Sequence, residues 1–207
     1  MGTDRAAPEA RVASATPVTV ELLLASPRSR YVGRPADGPA PAPATGPELH
    51  DAVTVRAHLG IVGDRYFNAP AHRGASVTLF AAEQLEHVAR ELGLPEGTVL
   101  DAALTRRNVV VRGVDVDALV GHEFDLDTGD GPVAFRANRA ANPCAWMDVV
   151  FGTGAFRALR GRGGVRCEPL TDGVLRVGPG LLRASWAEPT VTPATLERRV
   201  SPTRGAA

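Results

Sequence analysis

Short β-branched runs recur along this chain, each closed by a glycine, proline, asparagine or aspartate turn, and only one long amphipathic helix signal interrupts them. The strand-like runs are Val18–Ala25, Ala52–Leu59, Ser76–Phe80, Val109–Arg112, His122–Asp127, Pro132–Asn138, Val165–Leu170 and Val174–Val177. Thr128-Gly-Asp-Gly131 predicts a hairpin between the fifth and sixth of these runs, and Asp172-Gly173 predicts another between the last two. Leu85, Val88, Ala89 and Leu92 share one helical face, which predicts a helix over Ala81–Leu92 stopped by Gly93. Thr98 and Asp101 read as a capping box opening a helical turn through Leu104, and 145–151 and 155–159 read as short helices. Strands at this spacing without a repeating βαβ rhythm exclude a doubly wound parallel sheet. They predict a mainly β protein, a closed β-barrel with several short helices.

One such domain is expected over residues 17–186, within a chain of 207. Residues 1–16 and 187–207 lack periodicity and read as flexible tails. Residues 33–47 (GRPADGPAPAPATGP) form no regular ladder, because proline lacks the N–H, and read as an extended surface loop long enough to serve as a lid.

Charge narrows the function classes. The 23 basic and 23 acidic residues cancel, so no overall positive field gathers nucleic acid. All the basic residues are arginine, and without lysine neither a pyridoxal-phosphate Schiff base nor a P-loop is possible. Phosphate would have to be held by guanidinium forks or backbone N–H groups. No apolar run approaches the ~20 residues of a membrane span, and the N-terminus has no basic-then-apolar signal pattern, so no membrane association and a cytoplasmic location are expected. Two cysteines at unrelated positions provide neither a disulfide framework nor a zinc site.

Four local clusters carry possible chemistry. In Asn142-Pro-Cys-Ala-Trp-Met147, Pro143 fixes the backbone ahead of Cys144, which reads as a nucleophile or soft-metal ligand at a loop-to-helix junction, or else as a small apolar filler. Cys167, inside a strand, reads as a filler. Thr105-Arg-Arg-Asn108 places two guanidinium groups and an amide at a strand entrance, an arrangement that clamps an anion or simply forms a charged turn. Gly63-Asp-Arg65 and His72-Arg-Gly74 fall in one loop, and Arg160-Gly-Arg-Gly-Gly164 permits either close approach of a phosphate or a bare turn. No histidine pair has metal-ligand spacing, although His58, His72 or His122 could meet Cys144 in space to make a metal-free Cys/His thiol enzyme.

In order, GDRY, HRGASVTLFAAEQLE, RRNVVVRG, NPCAW and GRGGVRCEPL followed by LRVGPG resemble the MOSC domain, named for the C-terminal domain of molybdenum-cofactor sulfurases, in its stand-alone bacterial type. The resemblance spans about Val18 to Ala184 and implies a β-barrel with packed helices. It implies the molybdenum cofactor, molybdopterin, as ligand, with Cys144 in the family's cysteine position as a direct molybdenum ligand and catalytic group. The Arg-x-Asn element maps onto Arg106 and Asn108 as cofactor contacts, with Arg65, Arg73 and Arg162 as further candidates for the pterin phosphate. The implied activity is an oxidoreductase acting on N-hydroxylated or similar small-molecule substrates. The alternative is a non-catalytic cofactor or sulfur carrier that uses Cys144. The chain lacks a desulfurase domain, the N-terminal β domain of the amidoxime-reducing relatives and any reductase module, so an external electron donor or sulfur donor protein is the expected partner.

Overall fold

The computed structural model describes residues 15–44 and 46–184. Its strands are β1 (Ala15–Leu23), β2 (Ala52–Arg56), β3 (Gly60–Ile61), β4 (Val77–Ala81), β5 (Val109–Arg112), β6 (Glu123–Asp127), β7 (Pro132–Ala140), β8 (Val165–Pro169), β9 (Gly173–Arg176) and β10 (Gly178–Ala184). The α-helices are α1 (Glu83–Glu91), α2 (Trp146–Phe151) and α3 (Ala155–Ala158). Seven strands close into a barrel in the order β1-β10-β6-β7-β8-β4-β5, and β3, β2 and β9 form a small second sheet. The mainly β, closed-barrel expectation therefore holds. β4 and β5 run parallel, and α1 lies in the connection between them, as parallel neighbours require a crossover.

The interior follows the two-residue strand period. Val20, Leu79, Val111, Leu126, Val133 and Leu182 are fully buried there, and Phe124 stacks on Phe135 with ring centroids 5.4 Å apart. At roughly 1.5–3 kcal/mol per fully buried large apolar side chain, this filled interior dominates the stability. β4 is buried on both faces. Val77, Leu79 and Ala81 join the barrel interior, while Phe80 packs outside with Leu85 and Val88 of α1, Trp146 and Met147 of α2, and Leu159.

The structure moves several sequence expectations. The Asp172-Gly173 turn does not join a hairpin: β8 pairs with β7 and β4, whereas β9 pairs with β2 in the small sheet. The Asp172 carboxylate instead accepts the Ala57 N–H and an Arg56 guanidinium N–H, at 2.7 and 2.8 Å, tying the turn to the neighbouring strand. The helical turn expected from Thr98 begins later, as a 3-10 turn over Ala102–Thr105. Asp101 caps it by accepting the Ala103 N–H at 2.9 Å, while Thr98 donates to the Pro95 carbonyl. β10 lies in a segment whose glycine and proline content argues against a strand, yet it pairs with β1 and β6 and completes the barrel. Gly180 fits there because a Cβ would stand 2.8 Å from the Asp127 carbonyl oxygen.

β1 begins at Ala15 and the described chain ends at Ala184, so the tail readings fall almost wholly outside the described residues. The proline-rich loop folds back on the segment before it: Ala40 N–H donates to the Arg30 carbonyl at 2.8 Å, and Arg30 Nε–H donates to the Ala40 carbonyl at 2.9 Å. Among the described residues no helix is long and apolar enough to cross a membrane.

Candidate functional site

Alternation along β4 and β8 decides where the polar groups go. Val77 and Leu79 point into the barrel, so Thr78 points out of it, and Arg166 is the register partner of Thr78 across the ladder. The loop before β5 meets them. Arg106 has φ 58°, in the left-handed region, and this turn directs Arg106, Arg107 and Asn108 to different sides of one spot. Asp64, Arg65 and Tyr66 close it from the loop after β3.

Asn108 is the keystone of this pocket. Its amide oxygen accepts from Thr78 N–H and Thr78 Oγ1, at 3.0 and 2.8 Å, and its amide nitrogen donates to the Leu24 carbonyl and to Asp64 Oδ2, at 3.0 and 3.1 Å. All of its side-chain capacity is thus met inside the protein. Asp64, also buried, accepts the Ser26 and Tyr66 backbone N–H groups at 3.3 and 2.9 Å. Both residues shape the wall.

The pocket's charge comes from four guanidinium groups: Arg65, Arg106, Arg107 and Arg166. Arg106 makes a bidentate pair with Glu48, at 2.5 and 3.1 Å, but its buried Nε–H has no acceptor among the described residues. Burial pushes the Glu48 carboxyl up, and the Arg106 hydrogen bonds with the charges of Arg106 and Arg30 outweigh it, leaving the carboxyl below its ordinary range. Arg107 donates to the carbonyls of Gly163, Ala141 and Asn142, at 3.1, 2.8 and 3.3 Å. Burial, then the charge of Arg166, lowers its pKa to about 10, so it stays protonated at neutral pH. Arg65 lies over the Tyr66 ring, 4.5 Å from its centroid. Burial pushes the Tyr66 phenol up, but hydrogen bonding and charge from Arg65 and Arg166 bring it below its ordinary value. Asp64 is the one carboxylate that lines the pocket with these four arginines, and Glu48 pairs with Arg106 from outside it, so the lining is predominantly basic. The enclosed space is only about 20 Å³, room for the corner of an oxyanion rather than a whole ligand.

Cys144 lies at the pocket's edge. Its thiol is exposed and within electrostatic reach of Arg107 and of Tyr31. The loop that carries it is tied down from below, because Arg107 holds the carbonyls of Ala141 and Asn142, the latter two residues before Cys144. Tyr31 stacks on Trp146 at 5.0 Å and donates its hydroxyl to the Leu104 carbonyl; burial pushes its pKa up to about 12. Cys167 is fully buried in the barrel, and burial alone drives its thiol far above the usual range. Among the described residues no three His, Cys, Asp or Glu side chains gather as metal ligands, so a metal at Cys144 would have to bring most of its own ligands.

Of the residues singled out by sequence, Arg65, Arg106 and Asn108 line one pocket, with Cys144 beside it. Arg73 is exposed on the 3-10 turn Pro70–Ala75 and does not line it. Arg162 is buried in a different groove, with His87, Glu91, Arg157 and Arg160. Gly163 and Gly164 serve backbone packing: a Cβ would stand 2.1 Å from the Ala141 oxygen and 2.0 Å from the Leu79 oxygen. His58 pairs with Glu168 on the surface, and His72 packs on Tyr66 at 4.4 Å. Sequence reasoning counted Arg107 in the Thr105–Asn108 clamp but gave no site role to Arg166, Tyr66, Thr78 or Tyr31. Arg166 had a signal, as the polar position between buried Val165 and Cys167. A cavity of about 670 Å³ between Arg28–Val32 and the proline-rich loop is lined by no acidic side chain and shares no lining residue with the arginine pocket.

The family model of the MOSC domain matches residues 58–181, more than half of the chain. No curated protein sequence matches it. The fold is similar to that of the YuaD protein from Bacillus subtilis, with a TM-score of 0.63 at 17% identity over 84% of this chain and 100% of that one. It is also similar to YiiM from Escherichia coli, with a TM-score of 0.52 at 16% identity over 86% of this chain and 74% of that one.

Proposed function

The chain belongs to the MOSC domain family, and from that premise we propose that it binds the molybdenum cofactor, with the Cys144 thiolate as the protein ligand to molybdenum, and acts as an oxidoreductase on N-hydroxylated or similar small substrates. The observation that carries this reading is the convergence of four arginines beside an exposed thiol, with an unanswered donor at Arg106 Nε. The donor set fits the group. A soft thiolate suits molybdenum, and guanidinium forks suit a phosphate that no lysine is present to hold. Arg65 and Arg166 have no carboxylate partner among the described residues and are the groups for that phosphate, joined by Arg106 Nε.

When bound, the cofactor supplies two-electron chemistry at the metal. The chain's own part is positional. Arg107 holds the Ala141–Asn142 carbonyls and so sets the loop from which Cys144 reaches outward. Asn108 and Asp64 lock β4, the β5 entrance and the loop after β3 into one wall, so the arginines are preorganised. Reduction of an N–OH group to N–H takes up two electrons and two protons and releases water, and the electrons come from an external donor protein.

The test is protein produced in a cofactor-replete host, measured for molybdenum and for oxidised-pterin fluorescence, then assayed with an N-hydroxylated substrate and a chemical reductant. Metal with turnover, both lost in Cys144→Ser, is the expected result. Metal without turnover favours a cofactor or sulfur carrier. Absence of both metal and pterin overturns the reading and leaves a metal-free thiol enzyme.

A further inference from the structure

The ladder between β7 and β8 carries two contrasting charge arrangements on its outer face. Arg136 stands opposite Glu168 and also pairs with Glu123, at 3.6 and 2.8 Å, so its charge is answered twice. Past the irregularity between Ala137 and Arg139, the next outward pair is Arg139 opposite Arg166. Register partners share a face with Cβ atoms about 5 Å apart, and like charges placed so destabilise each other. Neither of these two guanidinium groups has a carboxylate partner among the described residues. Thr78 flanks Arg166 on its other side, so Thr78, Arg166 and Arg139 form a row across three strands that runs outward from the arginine pocket.

The 3-10 turn Pro70–Ala75 packs on β8 and β7 and borders this row. Asn138 Nδ2–H donates to the Gly74 carbonyl at 2.9 Å, and His72 packs on Tyr66 of the pocket. The turn that carries exposed Arg73 thereby ties the strand holding Arg139 to the loop holding Arg65.

We propose that the row is a second phosphate subsite contiguous with the arginine pocket, so that the anion held here is a diphosphate. The inference rests on the cofactor reading above and deepens it: the cofactor is the form whose phosphate is joined through a P–O–P bridge to a nucleotide. One phosphate meets Arg65, Arg166 and the buried Nε–H of Arg106, and the next meets Arg139 together with Arg166. A diphosphate between them turns the Arg139–Arg166 repulsion into attraction to a shared anion. An acidic protein surface would answer Arg139 at the rim, but not the Arg106 donor in a recess of about 20 Å³, which only the corner of an oxyanion enters.

The experiment titrates the full chain, produced in a host that makes no molybdopterin, with inorganic pyrophosphate and separately with inorganic phosphate at low ionic strength. The expected result is that pyrophosphate binds at least about tenfold tighter than phosphate. Arg139→Gln weakens pyrophosphate binding about tenfold and phosphate binding less than about twofold. Arg136→Gln removes the same charge from the same ladder and changes neither. A thermal midpoint of Arg139→Gln no lower than that of wild type certifies the fold. Protein from a cofactor-replete host releases, on acid hydrolysis, nucleotide in an amount equal to its molybdenum. Equal affinity for the two anions, equal losses in Arg139→Gln and Arg136→Gln, or molybdenum and pterin without nucleotide overturns the proposal and leaves the cofactor reading standing. Displacement of pyrophosphate by an acidic peptide that binds more tightly also overturns it, making the row a protein contact. Absence of molybdenum and pterin overturns the cofactor reading, whereas selective loss of pyrophosphate binding in Arg139→Gln upholds the diphosphate subsite without it.

Discussion

The two faces of the β4–β8 ladder differ by one residue of register and by everything in chemistry. On the inner face Val77 stands opposite Cys167, both fully buried among aliphatic neighbours, with no polar group to satisfy. On the outer face Thr78 stands opposite Arg166, and the ladder continues into Asn108, Asp64 and the other arginines. The inner face is held by burial and tolerates no hydration; the outer face is held by directed hydrogen bonds and keeps its charge near water. The same contrast separates the two cysteines. One thiol is a barrel side chain with its pKa driven up by burial, and the other is exposed beside arginine.

The sharpest way to break the contrast is at the seam where both faces depend on a single backbone approach. Gly164→Ala would place a methyl 2.0 Å from the Leu79 oxygen at a φ of +83°, and a loss of roughly 4 kcal/mol or more is expected, read as failure to fold or a large drop in the urea midpoint. Next comes Asn108→Ala, which strands Thr78, Leu24 and Asp64 groups in the interior and should cost about 3 kcal/mol by equilibrium unfolding. A loss below about 0.5 kcal/mol would mean that the wall is not held by this amide.

Glu48→Gln leaves the buried Arg106 charge poorly paired and should cost about 2 kcal/mol at neutral pH. Its pH dependence carries a sign. Glu48 titrates lower in the folded state than its ordinary 4.5, so its contribution is complete above that value and fades as pH falls through the depressed folded pKa. Acid unfolding curves of wild type and Glu48→Gln should accordingly converge in that range, and parallel curves would exclude the pair as the cause. The smallest effect on stability is expected at Arg166→Ala, within about 0.5 kcal/mol because this guanidinium has no carboxylate partner among the described residues. Under the cofactor-binding proposal, that variant should nonetheless retain less molybdenum and pterin than wild type after production in a cofactor-replete host. For the thiols, alkylation of the native protein should reach Cys144 and leave Cys167 unreacted until global unfolding. Labelling of both at one rate would contradict the two-faced ladder.

Much of the architecture was legible in the residues. The alternation in β6 and β7, the helical face of α1 and the turn at 128–131 are local signals, and local signals survive into the fold. The anion-clamp reading of Thr105–Asn108 also found the correct loop, but it could not separate the partners. Arg106 is bound to Glu48 and Arg107 to three carbonyls, because a left-handed residue turns successive side chains apart. Arg162 shares the basic, glycine-flanked character of a phosphate contact, and only its burial beside His87 assigns it to another groove.

What the sequence determined by itself was the period of the strands, the position of the one long helix, the lack of lysine and hence the reliance on guanidinium, and the Pro-Cys junction ahead of a short helix, whose exposure the fold decided. Tertiary structure alone decided that β9 leaves β8 for β2, and that a glycine- and proline-rich segment becomes β10, the strand that closes the barrel. It also decided which arginines face one another. The reason is physical: strand period and turn chemistry act between neighbours in the chain, whereas closure and charge convergence depend on ladders between residues more than a hundred positions apart, as between Ala15 and Arg183.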